Sequence, residues 1–526
     1  GRNKATIDAI ADAIQQTKGC RLLDVDPGKS TNRTVYTFVG SPQAVIEGAL
    51  NSARVAKQTI DMKNHQGEHH RMGAMDVCPF IPVANVTMEE CVDISKEFGR
   101  RAAEELGIPI YLYEESTELG YRKKLPQIRE GQYEAIKERI VTKEWKPDFG
   151  PAEFIPEWGA TVTGARFFLI AYNVNLLSTP NQAHRIALNL REAGRGPDEP
   201  GRHLEVKGMG WYVEDYNLSQ VTVNLNNYHE TPPHVLYESV KRDAKELNVA
   251  VTGSEIVGVI PLEAILMAAE YYIEKENLFV LEEDQKVRLA IERLGLNCVA
   301  PFNPQEKIIE YIIAEERNEP LAGMTVRQFI EEVASRSSAP GGGSASAAIA
   351  AMGVGLGSMV AKLTLGVRKF EDVDAKMREL VPPLHHAAEN LIPMIDADTD
   401  AFKDYVEALR LPSDTKEEKH FKLEKMEQGL KKAIEIPLTT MKLTDTAWDA
   451  MVQTAKYGNI ASKSDIEVGA KAMETGIWGA YKNVMINMAD IRDKDFKKKT
   501  IKLAESIKSR AELQCKKILE ILENRE

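Results

Sequence analysis

AEERNEPLAG, residues 314–323, is where the patterning of this chain changes. Before it, from Thr6 to about Ile313, short β-rich runs alternate with helical periods. TVYTFVG precedes the helical PQAVIEGALNSARVA, IPIYLY and RFFLIAYNVNLL read as strands, and the helical VLYESVKRDAKEL leads into VAVTGSEIVGVI. That alternation predicts an α/β or α+β body. After the charged stretch, closed by Pro320 and Gly323, the β signal disappears. MTVRQFIEEVASR, LIPMIDADTDAFKDYVEAL, DIEVGAKAMETGIWGAYKNVMINM and IKLAESIKSRAELQCKKILEILE place apolar residues every three or four positions. This spacing predicts an all-α helical bundle for the rest of the chain. Within the first part, VTKEWKPDFGPA, residues 141–152, breaks the periodicity with Pro147, Gly150 and Pro151. A subdomain boundary is expected there, with a second strand-rich unit starting near Thr161.

The 526 residues carry 79 acidic and 67 basic side chains, a formal charge of −12. At about 150 residues per domain, the length suggests three to four domains. With 43% hydrophobic and 28% charged residues the composition excludes collagen, long disorder and a membrane bundle. Net negative charge argues against nucleic acid, whose phosphates it would repel, while leaving room for a local basic groove. The five cysteines are odd in number and free of C-x-x-C spacing, so neither a disulfide framework nor a cysteine zinc site is indicated, and a reducing cytosol is the expected setting. The opening GRNKATIDAIADAI has helical apolar spacing at Ile7, Ile10 and Ile14 rather than the apolar core of a signal peptide.

Ala339–Ala361, APGGGSASAAIAAMGVGLGSMVA, is uncharged and contains Gly353-x-x-x-Gly357, the pattern of a membrane span. Its residues are mostly Ala, Gly and Ser, so transfer to hydrocarbon gains little. A close-packed central helix of a bundle, or an oligomer interface, is expected instead of a transmembrane segment. Gly28-Lys29-Ser30 resembles the end of a P-loop, but position 23 is Leu where glycine is required. Gly208-Met-Gly210 and GGGSAS fail as dinucleotide fingerprints at Val213 and Ser346. No G-x-S-x-G or H-E-x-x-H motif occurs.

The richest polar cluster is MKNHQGEHHRMGAMDVCPF, with His65, Glu68, His69, His70 and Arg71 just before an apolar strand. His65 and His69 have i, i+4 spacing, yet Gly67 intervenes and no cysteine accompanies them, so a metal is not expected. An imidazole held at the edge of a rigid strand is suited to proton transfer near neutral pH. Upstream, LLDVDPGKSTNRTVYTF places Asp24, Asp26 and Arg33 around a Pro-Gly turn. Asp26 is a candidate partner that would fix the tautomer of His69, with simple turn chemistry as the competing explanation. Arg71 and Arg33 are candidate carboxylate clamps. DFGPAEFIPEWGATVTGARFF interleaves Phe149, Phe154 and Trp158 with glycines and prolines, which suits either a flat heterocycle or a core plug.

In the helical part, Leu391, Ile395, Asp398, Phe402, Tyr405 and Leu409 follow 4-3-4-3-4 spacing, one continuous helix face. This puts Asp398 at a core position, where desolvation raises a carboxyl pKa, and leaves Asp396 and Asp400 solvated. In APGGGSASA, Ser344 is a good N-cap, and glycines before it allow backbone N–H groups to approach a ligand. Asn459, Ser464 and Asp465 surround a further helix start, as caps or as groups that bind a heterocycle.

The phrases DVDPGKSTNRTVYTFVG, GEHHRMGAMDVCPFIPV, DFGPAEFIPEWGATVTGAR, QAHRIALNLRE, SAPGGGSASAA, DADTDAF and GNIASKSD together resemble the formimidoyltransferase-cyclodeaminase family of bifunctional folate enzymes, in the family's order over essentially the whole chain. The resemblance implies two α/β formiminotransferase subdomains, 1–168 and 169–313, a linker 314–321 and a helical cyclodeaminase domain 322–526. It implies transfer of the formimino group of N-formimino-L-glutamate to N5 of tetrahydrofolate, a substrate that the family prefers polyglutamylated. Cyclisation to 5,10-methenyltetrahydrofolate with release of ammonia follows, the pathway being histidine degradation feeding one-carbon metabolism.

By the same resemblance His69 is the transferase histidine and Asp398 the cyclodeaminase aspartate. The folate-binding stretch is Gly150, Pro151, Ala152, Glu153, Phe154, Ile155, Pro156, Glu157, Trp158 and Gly159. Gly341, Gly342, Gly343, Ser344 and Asn459 support the second site. The family usually has Pro where this chain has His70, and its lead-in strand does not precede Gly1, which implies a weaker first sheet. The family further suggests a ring-shaped homo-octamer, a cytoplasmic location, and association with Golgi membranes, the centrosome and cytoskeletal filaments. Two alternatives follow: a scaffold with incidental or lost catalysis, and a metal-dependent hydrolase built on His65 and His69. Lys494–Lys502, KDFKKKTIK, would hold an anionic tail or form a solvated face.

Overall fold

Apolar side chains alternate along the strands of the first part and recur every three to four residues along the helices of the second, and the two patterns bury separate cores. A computed structural model describes residues 1–29, 31–314 and 319–525. The chain divides into two compact units, Gly1–Ala314 and Glu315–Glu526. Half of the expected linker, residues 315–318 of 314–321, lies outside the described residues.

The first unit holds three sheets. Strands β1 (Cys20–Gly28) and β2 (Arg33–Gly40) form an antiparallel hairpin. Strands β3 (Val77–Phe80), β4 (Ile110–Leu112) and β5 (Thr161–Ala165) form a parallel sheet in the order β3-β5-β4. Strands β6 (Ile170–Leu177), β7 (Val206–Val213), β8 (Leu218–Leu225) and β9 (Ala250–Val257) form an antiparallel sheet in the order β7-β8-β6-β9. The second strand-rich unit therefore does not begin near Thr161. Residues 161–165 are the central strand of the parallel sheet, buried at every position. A parallel partner can be reached only through a long crossover, and the irregular 141–160 segment is the end of that crossover rather than a boundary.

Around the antiparallel sheet, Tyr172, Val174 and Leu176 of β6 face a core shared with the helices Pro180–Leu190, Pro233–Glu246, Leu262–Glu276 and Glu283–Leu294. Successive residues of a strand point to opposite faces. Asn173 and Asn175 consequently lie on the side away from that core.

The second unit is helical. Its centre is the helix Gly342–Thr364, packed antiparallel against Lys463–Asn487 and contacted by Asp374–Leu391, Met394–Leu409, Lys416–Thr446 and Trp448–Tyr457. Among the described residues Gly342–Thr364 is the one helix long and apolar enough to cross a membrane, and more than half of its apolar window is buried inside the bundle. Small side chains let the two central backbones touch: a Cβ on Gly476 would lie 2.6 Å from the Cβ of Ala350, whereas one on Gly355 would meet nothing within 4 Å.

Gly476→Val is expected to destabilise the helical unit by about 1–3 kcal/mol through overpacking. Gly355→Ala is expected to stabilise it by roughly 0.5–1 kcal/mol by removing backbone freedom from a helix interior. Urea unfolding followed by circular dichroism checks both; equal midpoints for the two variants would refute this packing.

Candidate active sites

The first centre forms where the hairpin turn meets the loop after the helix Pro42–Thr59. Asn32 ties the two together, its Nδ2 donating to the Gln66 carbonyl at 2.9 Å and its own carbonyl lying 2.8 Å from Nε2 of His65. His69 is held on this loop with Nδ1 2.7 Å from the His70 carbonyl. Arg33 Nη1 stands 3.0 Å from both ring nitrogens, and an imidazole that donates from Nδ1 to the His70 carbonyl leaves Nε2 as the acceptor for it. It is the backbone of residue 70 that contacts His69, and the His70 side chain is exposed.

The carboxylate at this centre is Asp76, not Asp26. Asp76 lies 4.0 Å from Arg33, is paired with Arg129, and accepts from Met72 N at 2.8 Å. Asp26 is exposed on β1 and makes no hydrogen bond to His69, so the expected dyad does not form. Arg71 is also differently employed: its fork meets Glu134 at 2.7 and 3.1 Å, and its guanidinium lies over the Tyr133 ring. Burial holds His69 below the ordinary imidazole value. The His70 carbonyl and Asp76 oppose that shift, while the charges of Arg33 and Arg129 reinforce it. Thr34 Oγ1, His65 Nδ1, Arg71 Nε and Arg129 Nε are buried without hydrogen-bond partners. Among the described residues no set of three His, Cys, Asp or Glu is arranged to hold a metal ion.

The loop from Gly150 to Gly159 is divided in function. Trp158 is 1% exposed and donates to Thr161 Oγ1 at 3.1 Å, so its ring plugs the core and offers no face to a heterocycle. Phe154 packs on Tyr133 with ring centroids 5.5 Å apart. Ala152, Glu153 and Glu157 are exposed, and Glu157 pairs with Lys63 at 2.6 Å. Gly150 (φ +86°) and Gly159 (φ +80°) set the loop's path against the backbone of Ile108 and Met72.

The second centre lies in the helical unit. The helix Asp374–Leu391 ends before Pro393, and a new helix, Met394–Leu409, carries the aspartates. The stripe expected from Leu391 to Leu409 is therefore broken: Phe402 is 37% and Leu409 41% exposed. Asp396, expected in solvent, is 7% exposed and accepts from the backbone N–H groups of Leu321 and Ala322 at 2.8 and 3.1 Å. Asp398 faces the start of Gly342–Thr364, where a Cβ on Gly343 would fall 2.1 and 2.2 Å from its two carboxylate oxygens. Burial pushes its carboxyl above the ordinary aspartate value, and the Ser344 backbone opposes this. Ser344 Oγ and Thr399 Oγ1, both buried, are 3.1 Å apart.

Asn459 is not at this centre. Its backbone N–H donates to Thr364 Oγ1, at the far end of the 23-residue helix, and its side chain caps Ala461. A helix of that length separates the two ends by roughly 30 Å. Asn483 takes the place that had been assigned to it, with Nδ2 3.5 Å from a Cβ built on Gly342 while donating to Gly479 O at 2.9 Å. Asp76, Arg129 and Asn483 were missed because no local motif marks them.

An imidazole among guanidinium groups in an α/β unit, and a desolvated carboxyl at a helix start in an α-helical unit, give each unit its own candidate centre for proton transfer. Family models agree with this division: the N-terminal subdomain of the formiminotransferase domain matches residues 1–166, the formiminotransferase domain 171–314, and formiminotransferase-cyclodeaminase 325–506. A formimidoyltransferase-cyclodeaminase of Dictyostelium discoideum is 58% identical over 527 residues, covering all of this chain and 97% of that protein. One from Rattus norvegicus is 52% identical with the same coverage. A glutamate formimidoyltransferase of Streptococcus pyogenes is 40% identical over 279 residues, covering 53% of this chain and 91% of that one. The chain belongs to the formimidoyltransferase-cyclodeaminase family.

Because Arg33 adds positive charge beside an already buried ring, His69 should titrate below the ordinary imidazole range, and Arg33→Gln should move that titration upward. Nuclear magnetic resonance of labelled histidine reads both; an unshifted His69 in the variant would contradict this placement.

Proposed function

We propose that His69 and Asp398 are the proton-transfer residues of two successive folate reactions. The chain transfers the formimino group of N-formimino-L-glutamate to tetrahydrofolate, then cyclises 5-formiminotetrahydrofolate to 5,10-methenyltetrahydrofolate with release of ammonia. The observation that carries the assignment is the contrast between the centres: one half-buried imidazole beside guanidinium groups that lower its pKa, one carboxyl desolvated against glycine backbone.

In the transfer step N5 attacks the formimino carbon and loses its proton to Nε2 of His69; the bond from that carbon to the glutamate nitrogen breaks, and His69 returns the proton to the departing amine. Arg33 must release Nε2 for this, and a substrate carboxylate is the natural competitor for its fork. Arg129 and the unpartnered polar atoms around it favour carboxylates at the same place. Folate contact is assigned to the exposed part of the 150–159 loop. In the cyclisation N10 attacks the carbon of the protonated imine and passes its proton to Asp398; Asp398 returns that proton to the former imine nitrogen as the carbon–nitrogen bond breaks and ammonia leaves. Ring closure is intramolecular, so positioning supplies much of the acceleration. Gly343 supplies that positioning, because only backbone fits there beside the carboxyl, with Gly342 and Ser344 on either side of it.

Three further assignments follow. The exposed lysines of Lys494–Lys502 favour a polyglutamylated folate tail. Met352, Met359 and Leu363, exposed along the central helix, support a homo-oligomer, with the ring-shaped octamer of the resemblance as the form to test by light scattering. A cytoplasmic location with peripheral Golgi or filament association rests on the resemblance alone, and co-sedimentation of a doubly inactive variant with filaments tests it.

His69→Ala is expected to lower formimino transfer by roughly 10²–10⁴-fold while sparing cyclisation of supplied 5-formiminotetrahydrofolate, and Asp398→Asn to do the reverse. Glutamate release and methenyl absorbance separate the two. Either variant within a few-fold of wild type in its own step would overturn that assignment.

A further inference from the structure

The face of the antiparallel sheet turned away from its hydrophobic core carries a connected set of amides. Asn175 pairs in register with Gln220 and Gln220 with Trp211; Asn173 pairs with Thr222 on one side and Glu255 on the other. Gln220 Nε2 donates to Asn175 Oδ1 at 2.9 Å and to Glu255 Oε2 at 3.3 Å, and Asn173 Nδ2 donates to the same Glu255 oxygen at 3.2 Å. Trp211, 47% exposed, donates to Thr222 Oγ1 at 2.6 Å.

Such a network is costly unless every member is satisfied, and this one is not. Asn175 is 0% exposed, yet its Nδ2 has no hydrogen-bond partner. Oε1 of Glu255 makes no hydrogen bond among the described residues, and Glu255 itself is only half-buried. Apolar side chains at these positions would complete an ordinary sheet face. The arrangement instead fixes one carboxylate oxygen with two amides and leaves the other oxygen and one buried N–H without partners. Asn175 and Asn173 are two residues apart on β6, and Glu255 pairs with Asn173 from β9, so the free donor and the carboxylate belong to adjacent same-face rows spaced roughly 7 Å along the strands.

We infer that this face binds a planar N–C–N edge with a neighbouring oxygen, the two nitrogens donating to Glu255 and the oxygen accepting from Asn175 Nδ2. A carboxylate recognises such a pair of parallel donors through two hydrogen bonds, as it does a guanidinium. The inference rests on the formimino-transfer reading, and both substrates of that reaction carry the required edge. In N-formimino-L-glutamate it is the formamidine with the adjacent α-carboxylate; in tetrahydrofolate it is the 2-amino-4-oxo side of the pteridine.

Calorimetric titration of the full chain with each substrate separately, wild type against Glu255→Gln, distinguishes the two sources. Glu255→Gln keeps the shape and the contacts to Asn173 and Gln220 but replaces an acceptor pair by a mixed donor and acceptor. The expected result is at least a tenfold weaker Kd for one substrate and a Kd within twofold for the other; the substrate that weakens is the one bound here. N-formyl-L-glutamate, in which an oxygen replaces the second nitrogen, and a folate analogue lacking the 2-amino group provide a comparison independent of any variant's folding. Whichever source is correct, its analogue should bind wild type more weakly and be insensitive to Glu255→Gln. Unchanged affinity for both substrates, or equal loss of both, overturns the inference. Wild-type chain that makes no transfer product at all would instead refute the reading on which it rests.

Discussion

The contact on which the helical half depends is that between the Asp398 carboxyl and the backbone of Gly343. Any side chain at position 343 would begin where the carboxylate oxygens now lie. Glycine therefore brings the carboxyl against a buried helix start, and the same burial raises its affinity for a proton. The Ser344–Thr399 hydroxyl pair fastens the two helices beside it, and Asp396 fastens the backbone of Leu321 and Ala322 to the helix that carries both aspartates. Two aspartates two residues apart thus do unlike jobs, one satisfying backbone donors and one left with a displaced pKa.

The α/β half solves a related problem with opposite charge. Two guanidinium groups, those of Arg33 and Arg129, are brought near one imidazole and share the carboxylate of Asp76, while Arg71 is paired with Glu134. Burial, reinforced by its positive neighbours, holds the ring's pKa below the ordinary imidazole value. What lies unpartnered among these arginines is the inner N–H of Arg71 and of Arg129, donors suited to an anionic substrate.

Much of this was legible before any coordinates. The change of periodicity at AEERNEPLAG gave the division into α/β and helical parts, because strand and helix repeats differ along any sequence. Asp398 emerged from a helical count, although for an incomplete reason: the count ran through Pro393, where the helix is interrupted, and so placed Phe402 and Leu409 in a core they do not enter. His69 stood out by local composition. Asp76, Arg129 and Asn483 could not, since they reach their centres by tertiary packing from other elements. Asn459 shows the converse error, a residue next to a recognisable phrase that the fold carries to the wrong end of a long helix. Trp158 was ambiguous because aromatic loops and core plugs share one composition, and only its burial decides between them.

The central claim is that one chain performs two reactions in series on one folate. The most direct measurement mixes the wild-type chain with tetrahydrofolate and N-formimino-L-glutamate and follows glutamate, ammonia and methenyl absorbance together. The account predicts that all three appear and reach equal final amounts. Glutamate released with no ammonia and no methenyl product would contradict it.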